Sequence, residues 1–349
     1  MKKIKVGIIG AGGIARDQHI PAYQKLKDVE IVAICDVLED RAEEMGRRFG
    51  IPRVFSDYRK LLKMDEIDAV SVCTPNFMHK APTVAAFEAG KHVLCEKPIA
   101  MNAREGRAMV EAAKKAKKKF MIGFHFRFKA ETRMLKRLID EGACGKIYHA
   151  KSTALRRRGI PSWGVFTQKD KSGGGPLIDI GVHVLDLTLY LMNHPKPVAV
   201  SGQTYQAFGK RKGVFNMWGP WDSNKYDVED YALGLVRFAD GATLFLETSW
   251  AANIGTREIF NCLILGDKGG AEYNPPTIYS EKSGSLLNEG LGLIPKEDDP
   301  HAQEVAHFID CIRTGSNPIP TGEHGLMAME IIDAIYASSK TGREVKLRA

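Results

Sequence analysis

Residues 4–15 constrain this chain more than any other segment. Ile4-Lys5-Val6-Gly7-Ile8-Ile9 runs directly into Gly10-Ala11-Gly12-Gly13-Ile14-Ala15. A short apolar run halted by glycines and followed by an amphipathic stretch over 14–25 predicts a buried strand, a tight turn and a helix. The pattern then repeats. Residues 30–35, 54–55, 69–74, 92–95 and 120–124 are further strand candidates, with helices over 39–49, 79–89 and 103–118. Strands that read as continuous apolar runs and alternate with helices form a doubly wound parallel sheet covered on both faces.

After about residue 125 the pattern changes. Residues 146–155, 198–208, 229–238, 242–250, 258–265 and 271–281 read as longer strands joined by short turns such as Ala239-Asp240-Gly241 and Gly266-Asp267-Lys268-Gly269. Hairpin connections of this kind predict a large, mostly antiparallel sheet with one open face. Helices are predicted over 129–141, 304–313 and 326–340, and an apolar one over 177–192. The fold class is therefore α/β, with one domain over 1–124 and a second over 125–349. Two stretches of low hydrophobicity, 209–226 and 286–300, read as loops able to act as lids.

Composition limits what such a chain does. Its 349 residues, 44% hydrophobic and 26% charged, suffice for two full cores and exclude disorder or coiled coil as the main architecture. No apolar run approaches the ~18–20 residues that cross a membrane. The apolar stretch after Lys2-Lys3 is too short for a signal peptide. The six cysteines (35, 73, 95, 144, 262 and 311) are scattered and form no CxxC, which argues against disulfides and structural zinc. A cytoplasmic protein with reduced thiols and no metal is expected. The net charge of +8 raises the question of nucleic acid. The densest basic run, Lys114-Lys115-Ala116-Lys117-Lys118-Lys119, closes a predicted helix, where cations are favoured by the dipole and stay solvated. Neither nucleic acid nor membrane is expected as a partner.

Three groups of residues carry chemistry. Gly10, Gly12, Gly13, Ile14 and Ala15 have the form GxGxxA between a strand and a helix, the context in which that pattern cradles a pyrophosphate. Asp36 ends the second predicted strand, twenty-one residues after Ala15, where a carboxylate accepts from both adenosine ribose hydroxyls and repels a 2′-phosphate. NAD is therefore expected over NADP, although Arg41 keeps NADP open. Lys97, in Cys95-Glu96-Lys97-Pro98, lies at the carboxyl end of a strand, where ligands of open α/β sheets bind. An X-Pro bond at such a turn can be cis. Finally, Asp179, His183 and Asp186 recur at i, i+4 and i+7 on a helix that is otherwise apolar, behind the run Gly173-Gly174-Gly175. Buried polar groups must be paired or face a cavity. The plain alternative is a satisfied core Asp–His pair; the glycines favour a backbone that comes close to a ligand. Together these residues suit oxidation of a secondary alcohol without zinc: a histidine as base, a carboxylate to orient it, and an ammonium to steady the alkoxide.

The joint pattern resembles the Gfo/Idh/MocA oxidoreductases. The matching pieces are Gly10 to Ala15, Thr74-Pro75-Asn76 with His79, Glu96-Lys97-Pro98, Gly123-Phe124-His125-Phe126-Arg127-Phe128, and Gly174-Gly175 through Asp179 to His183. The resemblance implies an N-terminal Rossmann domain and a C-terminal α/β domain whose open sheet face forms a homodimer or homotetramer. It implies that Thr74, Pro75, Asn76 and His79 belong to the cofactor site and that Glu96 and Lys97 flank the nicotinamide. Lys97 would hold the reacting hydroxyl, Asp179 would orient His183, and His183 would accept the proton. The ammonium and the imidazole–carboxylate couple would then act at one nicotinamide ring. Relatives often carry Asn in place of His125, so His125 is assigned only to the substrate region. In the segment Arg156-Arg157-Arg158-Gly159-Ile160-Pro161-Ser162-Trp163, Arg156, Arg158 and Trp163 resemble sugar-contacting residues. The implied activity is hydride transfer between NAD and a ring alcohol of a sugar, glycoside or cyclitol. Two alternatives are an NAD-dependent glycosidase working by transient oxidation and elimination, and a non-catalytic NAD-binding sensor.

Overall fold

The computed structural model describes residues 3–292 and 299–347. Six parallel strands open the chain: β1 (Ile4–Ile9), β2 (Val29–Cys35), β3 (Arg53–Phe55), β4 (Ala69–Val72), β5 (His92–Glu96) and β6 (Phe120–Gly123). Between them run α1 (Ile20–Gln24), α2 (Glu39–Phe49), α3 (Tyr58–Leu62), α4 (Lys80–Glu88) and α5 (Ala103–Ala116). The strand order β3-β2-β1-β4-β5-β6 reverses beside β1, the topological switch point at which open α/β sheets bind ligands. Strands β1 and β4 are apolar and almost wholly buried, as a sheet covered on both faces requires. Local signals fix the helix ends. Asn102 caps α5 by accepting from Glu105 N at 3.0 Å, and Gly50, at φ +67°, closes α2 in the left-handed region.

The second part of the chain holds α6 (Ala130–Asp140), β7 (Ile147–Arg156), α7 (Lys169–Ser172), α8 (Val182–Leu191), β8 (Pro197–Tyr205), β9 (Tyr231–Phe238), β10 (Thr243–Ser249), β11 (Glu258–Gly266), β12 (Gly270–Glu272), β13 (Thr277–Lys282) and β14 (Ser285–Gly290). After them come α9 (Pro300–Thr314), α10 (Gly322–Thr341) and β15 (Val345–Lys346). Nine strands form one sheet in the order β14-β13-β12-β11-β7-β10-β9-β8-β15. All pairs are antiparallel except β7 with β10. Burial alternates along β9 and along β10 up to Thr248: Ala232, Gly234, Val236, Leu244 and Leu246 are buried, whereas Leu233, Leu235 and Phe245 are half-buried on the other face. That second face mixes Leu233, Leu235 and Phe245 with Tyr231, Arg237, Thr243 and Glu247 and is only partly covered.

The structure departs from the sequence reading in several places. The described residues fall into two compact units, one within Met1–Phe128 and Glu297–Leu326, the other within Lys129–Lys296 and Met327–Ala349. Helix α9, expected in the second domain, thus belongs with the first. Its Val305, Phe308 and Ile309 join the core formed by Ile20, Tyr23, Val29 and Ile31, and Arg313 pairs with Asp28. It also starts earlier than expected, because Asp299 caps His301 N and Ala302 N and Pro300 occupies the first turn. The single strand expected over 271–281 is divided into β12 and β13 at Asn274-Pro275-Pro276, since proline cannot supply a ladder donor. Part of the expected 286–300 loop is β14, paired with β13; residues 293–298 of that stretch lie outside the described residues.

Two histidines of the first unit make its stability depend on pH. His92 Nδ1 accepts from Lys119 N at 2.9 Å, and His324 Nδ1 accepts from Thr321 N at 3.0 Å, so both rings are held in a form that protonation destroys. Burial lowers both to about 4 from an ordinary 6.5, helped by Lys118 and Lys119 at His92 and by Arg127 at His324. The folded values lie below the unfolded one, so the unfolded chain takes up protons first. The stabilisation is complete above about 6.5 and declines as pH falls toward 4. Thermal unfolding followed across that window should show a falling Tm, and the fall should be shallower in His92→Asn/His324→Asn; an unchanged slope would refute it.

Candidate active site

In the first unit, the glycine turn is shaped for an anion. Gly10, at φ +100°, donates its N–H to Cys35 O at 2.7 Å, and a Cβ there would lie 2.6 Å from Cys73 O. No other residue type fits without shifting backbone. At Gly12 a Cβ would meet nothing within 4 Å, and at Gly13 only Asp17 Oδ2 at 3.9 Å. The space above these two is open. Residues 13–24 then form one helix, π-helical over Ala15–His19, whose first turn faces the glycines, with Ala15 fully buried against the sheet. Asp36 is fixed to the same turn. Its Oδ2 accepts from Ala11 N at 2.8 Å and its Oδ1 from Leu38 N at 2.9 Å, while Arg41 Nη1 stands 3.9 Å away. A cradle without Cβ atoms, a helix N-terminus and a fixed acid at the end of β2 fit a dinucleotide.

The neighbouring loops are tied together by a buried imidazole. His79 is fully buried, with Nδ1 2.8 Å from Pro98 O and Nε2 2.8 Å from Thr74 O. It joins the Thr74-Pro75-Asn76 turn to the segment after Lys97, and burial lowers its pKa despite both carbonyls. The Lys97–Pro98 peptide is cis. Behind Lys97, Glu96 Oε1 accepts from His19 Nε2 at 2.8 Å, and Oε2 accepts from Lys97 N at 3.2 Å. His19 Nδ1 is 3.2 Å from Ser71 Oγ, itself 2.8 Å from Tyr23 OH. Burial opposes ionisation of Glu96, but the hydrogen bond and field of His19, with Lys97 and His301, outweigh it and hold the carboxyl at about 2. Gly123 makes room for this group: a Cβ there would stand 3.0 Å from Glu96 Oε1. His125, just beyond, stacks on His301 of α9, with centroids 4.0 Å apart and planes at 22°.

In the second unit, Asp179 lies on a π-helical turn, Leu177–Gly181, that runs into α8. Its Oδ2 accepts from the indole Nε1 of fully buried Trp250 at 3.1 Å. His183 follows one turn later and is 9% exposed; Asp186 is buried at 1%. The glycine run has a different cause from the one expected. A Cβ on Gly174 would lie 1.9 Å from Tyr336 OH, and one on Gly175 would lie 2.0 Å from Glu229 O. These glycines admit protein neighbours. Buried Glu229 accepts from Gly175 N at 3.0 Å, Leu177 N at 3.1 Å and Tyr336 OH at 2.9 Å, and so sets where the Asp179 turn begins. Burial raises its pKa against those bonds.

Arg156 lies nearby, its side chain 18% exposed. Its guanidinium is 4.7 Å from the centroid of Trp218 and 5.5 Å from that of Phe260. Burial lowers its pKa, while Asp179 and Glu258 oppose that shift. Trp163, 55% exposed, packs edge-on against Trp218 at 5.2 Å. Arg158 is engaged elsewhere: Nη2 donates to Asn253 Oδ1 at 2.6 Å, and its guanidinium covers Phe208 at 4.5 Å. Sequence reasoning missed His19, His301, Trp218, Glu229 and Trp250. Only the indoles gave any signal, as polar-tipped aromatics beside apolar strands.

All six cysteines are free and buried. Among the described residues no three His, Cys, Asp or Glu are grouped to hold a metal ion, and no helix is long and apolar enough to cross a membrane.

A doubly wound sheet with this glycine turn, joined to a large mixed-sheet domain, defines an oxidoreductase of the NAD-binding Rossmann class. Residues 4–124 match the model of the oxidoreductase family with NAD-binding Rossmann fold, and 136–347 match the model of that family's C-terminal alpha/beta domain. The chain belongs to the Gfo/Idh/MocA family. It is 38% identical to D-glucoside 3-dehydrogenase of Escherichia coli, over 99% of this chain and 97% of that protein. It is 35% identical to glucose-6-phosphate 3-dehydrogenase of Bacillus subtilis, over 99% of both. Among solved structures, levoglucosan dehydrogenase in complex with NADH and levoglucosan matches with a TM-score of 0.86 at 26% identity, each chain wholly covered.

Proposed function

We propose that the protein is an NAD-dependent dehydrogenase acting on a ring secondary alcohol of an unphosphorylated sugar, glycoside or cyclitol. The observation that carries this reading is the row Asp179, His183 and Asp186 on an otherwise apolar, buried helix, with Asp179 oriented by Trp250. The similarity to sugar dehydrogenases supports the substrate class, and the Asp36 anchorage supports NAD. When bound, the oxidised nicotinamide supplies the hydride acceptor. His183 takes the hydroxyl proton and Asp179 orients it, and Lys97 is the ammonium offered to steady an oxygen as negative charge grows. Glu96, kept ionised by His19, positions Lys97 through its backbone N–H. Arg156, Trp163 and Trp218 offer hydrogen-bond donors and ring faces to a sugar. In reduction the same groups run in reverse. The half-covered face of the nine-stranded sheet, with Leu233, Leu235 and Phe245 on it, supports self-association, which molar mass in solution reads directly.

The test is a panel of sugars, glycosides and inositols with NAD and NADP, followed by the absorbance of reduced nicotinamide. Turnover of ring alcohols with NAD is expected. Release of free sugar without net reduced cofactor would replace this reading with elimination, and tight NAD binding without any turnover would replace it with a sensor. Asp36→Ala should weaken NAD by about tenfold, roughly the 1.4 kcal/mol of one charge-assisted hydrogen bond, and NADP much less. An unchanged preference would remove Asp36 from the ribose site.

A further inference from the structure

The second unit carries a basic cavity that the dehydrogenase reading does not use. It has a volume of about 510 Å³ and is lined by Arg157, Arg158, Arg257, Phe215 and Met217, with no acidic residue among them. Its position follows from the strand ends. Arg156 is the last residue of β7 and packs on Trp218; Arg157, next along, donates its N–H to Arg257 O at 2.9 Å and so stands beside it. The segment over 209–226 is divided in the same way. Trp218 packs against Arg156 and Trp163, while Met217 and Phe215 line the cavity, and Met217 N donates to Arg158 O at 3.2 Å. That segment is held in place. Asp230 accepts from Ala207 N, Phe208 N and Gly209 N, and Asn216 exchanges bonds with Ile160 N (3.0 Å) and Ile160 O (2.9 Å).

The charges there are uncompensated. Arg157 and Arg257 are exposed and, among the described residues, neither forms an ion pair or a side-chain hydrogen bond. Arg158 is spent on Arg157 O, Ala252 O, Asn253 and the Phe208 ring, which also receives Arg211 at 5.6 Å. Lys210 and Lys212 extend the positive field along the same segment. Two guanidiniums with free donors, a third fixed beside them, and an aromatic ring 73% exposed make a concave site of one charge sign. Guanidiniums bind tetrahedral oxyanions through paired N–H groups.

We propose that this cavity binds a phosphate monoester, with Arg157 and Arg257 on the phosphate and Phe215 and Met217 against the ester's apolar or ring portion. The site is distinct from the one that takes the oxidised sugar.

Calorimetry at low ionic strength, on the enzyme saturated with NADH so that the dinucleotide site is filled, tests it with phenyl phosphate and inorganic phosphate as probes. Both should bind. Arg157→Ala/Arg257→Ala should weaken both at least tenfold while leaving Tm and sugar turnover unchanged. Phe215→Ser should weaken phenyl phosphate several-fold and leave inorganic phosphate as it was. Three results would overturn the proposal: no heat with either probe, equal affinity in the double alanine variant, or displacement of phenyl phosphate by a sugar substrate. A change of oligomeric mass in the double variant without phosphate binding by the parent would instead assign these arginines to a contact between copies.

Discussion

Replacing His183 by alanine should lower kcat by about 10²–10⁴-fold, the usual contribution of a positioned general base. NADH affinity should stay within about twofold, because His183 belongs to α8 and the dinucleotide turn belongs to β1 and its helix. Steady-state kinetics beside a fluorescence titration of NADH separates the two quantities. Near-normal turnover would remove His183 as the base. A parallel loss of NADH affinity would mean that the substitution had damaged the fold. Asp179→Asn should reproduce part of the kcat loss, since an amide still accepts from Trp250 but no longer stabilises an imidazolium.

Lys97→Ala should lower kcat by about 10²–10³-fold, the scale for one donor aimed at a developing oxyanion. A change confined to KM would demote the lysine to substrate binding. The double variant with His183→Ala is the sharper measurement. If both side chains act on one hydroxyl, the combined loss falls well short of the product of the single losses, as it does for groups working as a unit. Multiplicative losses would sever the two roles and end the proposed mechanism.

Those candidates stand out in the sequence because their signals are local. Gly10 to Ala15 and Asp36 act mainly through backbone geometry over a few residues, and strand–turn–helix order can be read directly. The polar row of α8 stood out against apolar neighbours for the same reason. What was not legible depends on distant partners. His19, Ser71 and Glu96 meet from three separate segments, with the field of His301 reaching them from a fourth, and nothing in any one of them announces the others. Gly174 and Gly175 show the limit most clearly. A glycine declares that space is needed, not what fills it, and here Tyr336 and Glu229 fill it from far along the chain. Helix α9 was assigned to the wrong unit because its apolar stripe names a core without saying which one. Strand β14 escaped because Leu286 is 86% exposed at the sheet edge, where alternation carries little signal.

Asp230 and Asn216 clamp the segment over 209–226 at its base and near its middle, while the residues between them take no part in the sheet. Such an arrangement works like an interchangeable fitting. Substitutions or insertions between the clamps can reshape the wall bearing Trp218 while the helix bearing Asp179 and His183 keeps its place. On the proposed reading, grafting this stretch between relatives should carry substrate preference with it.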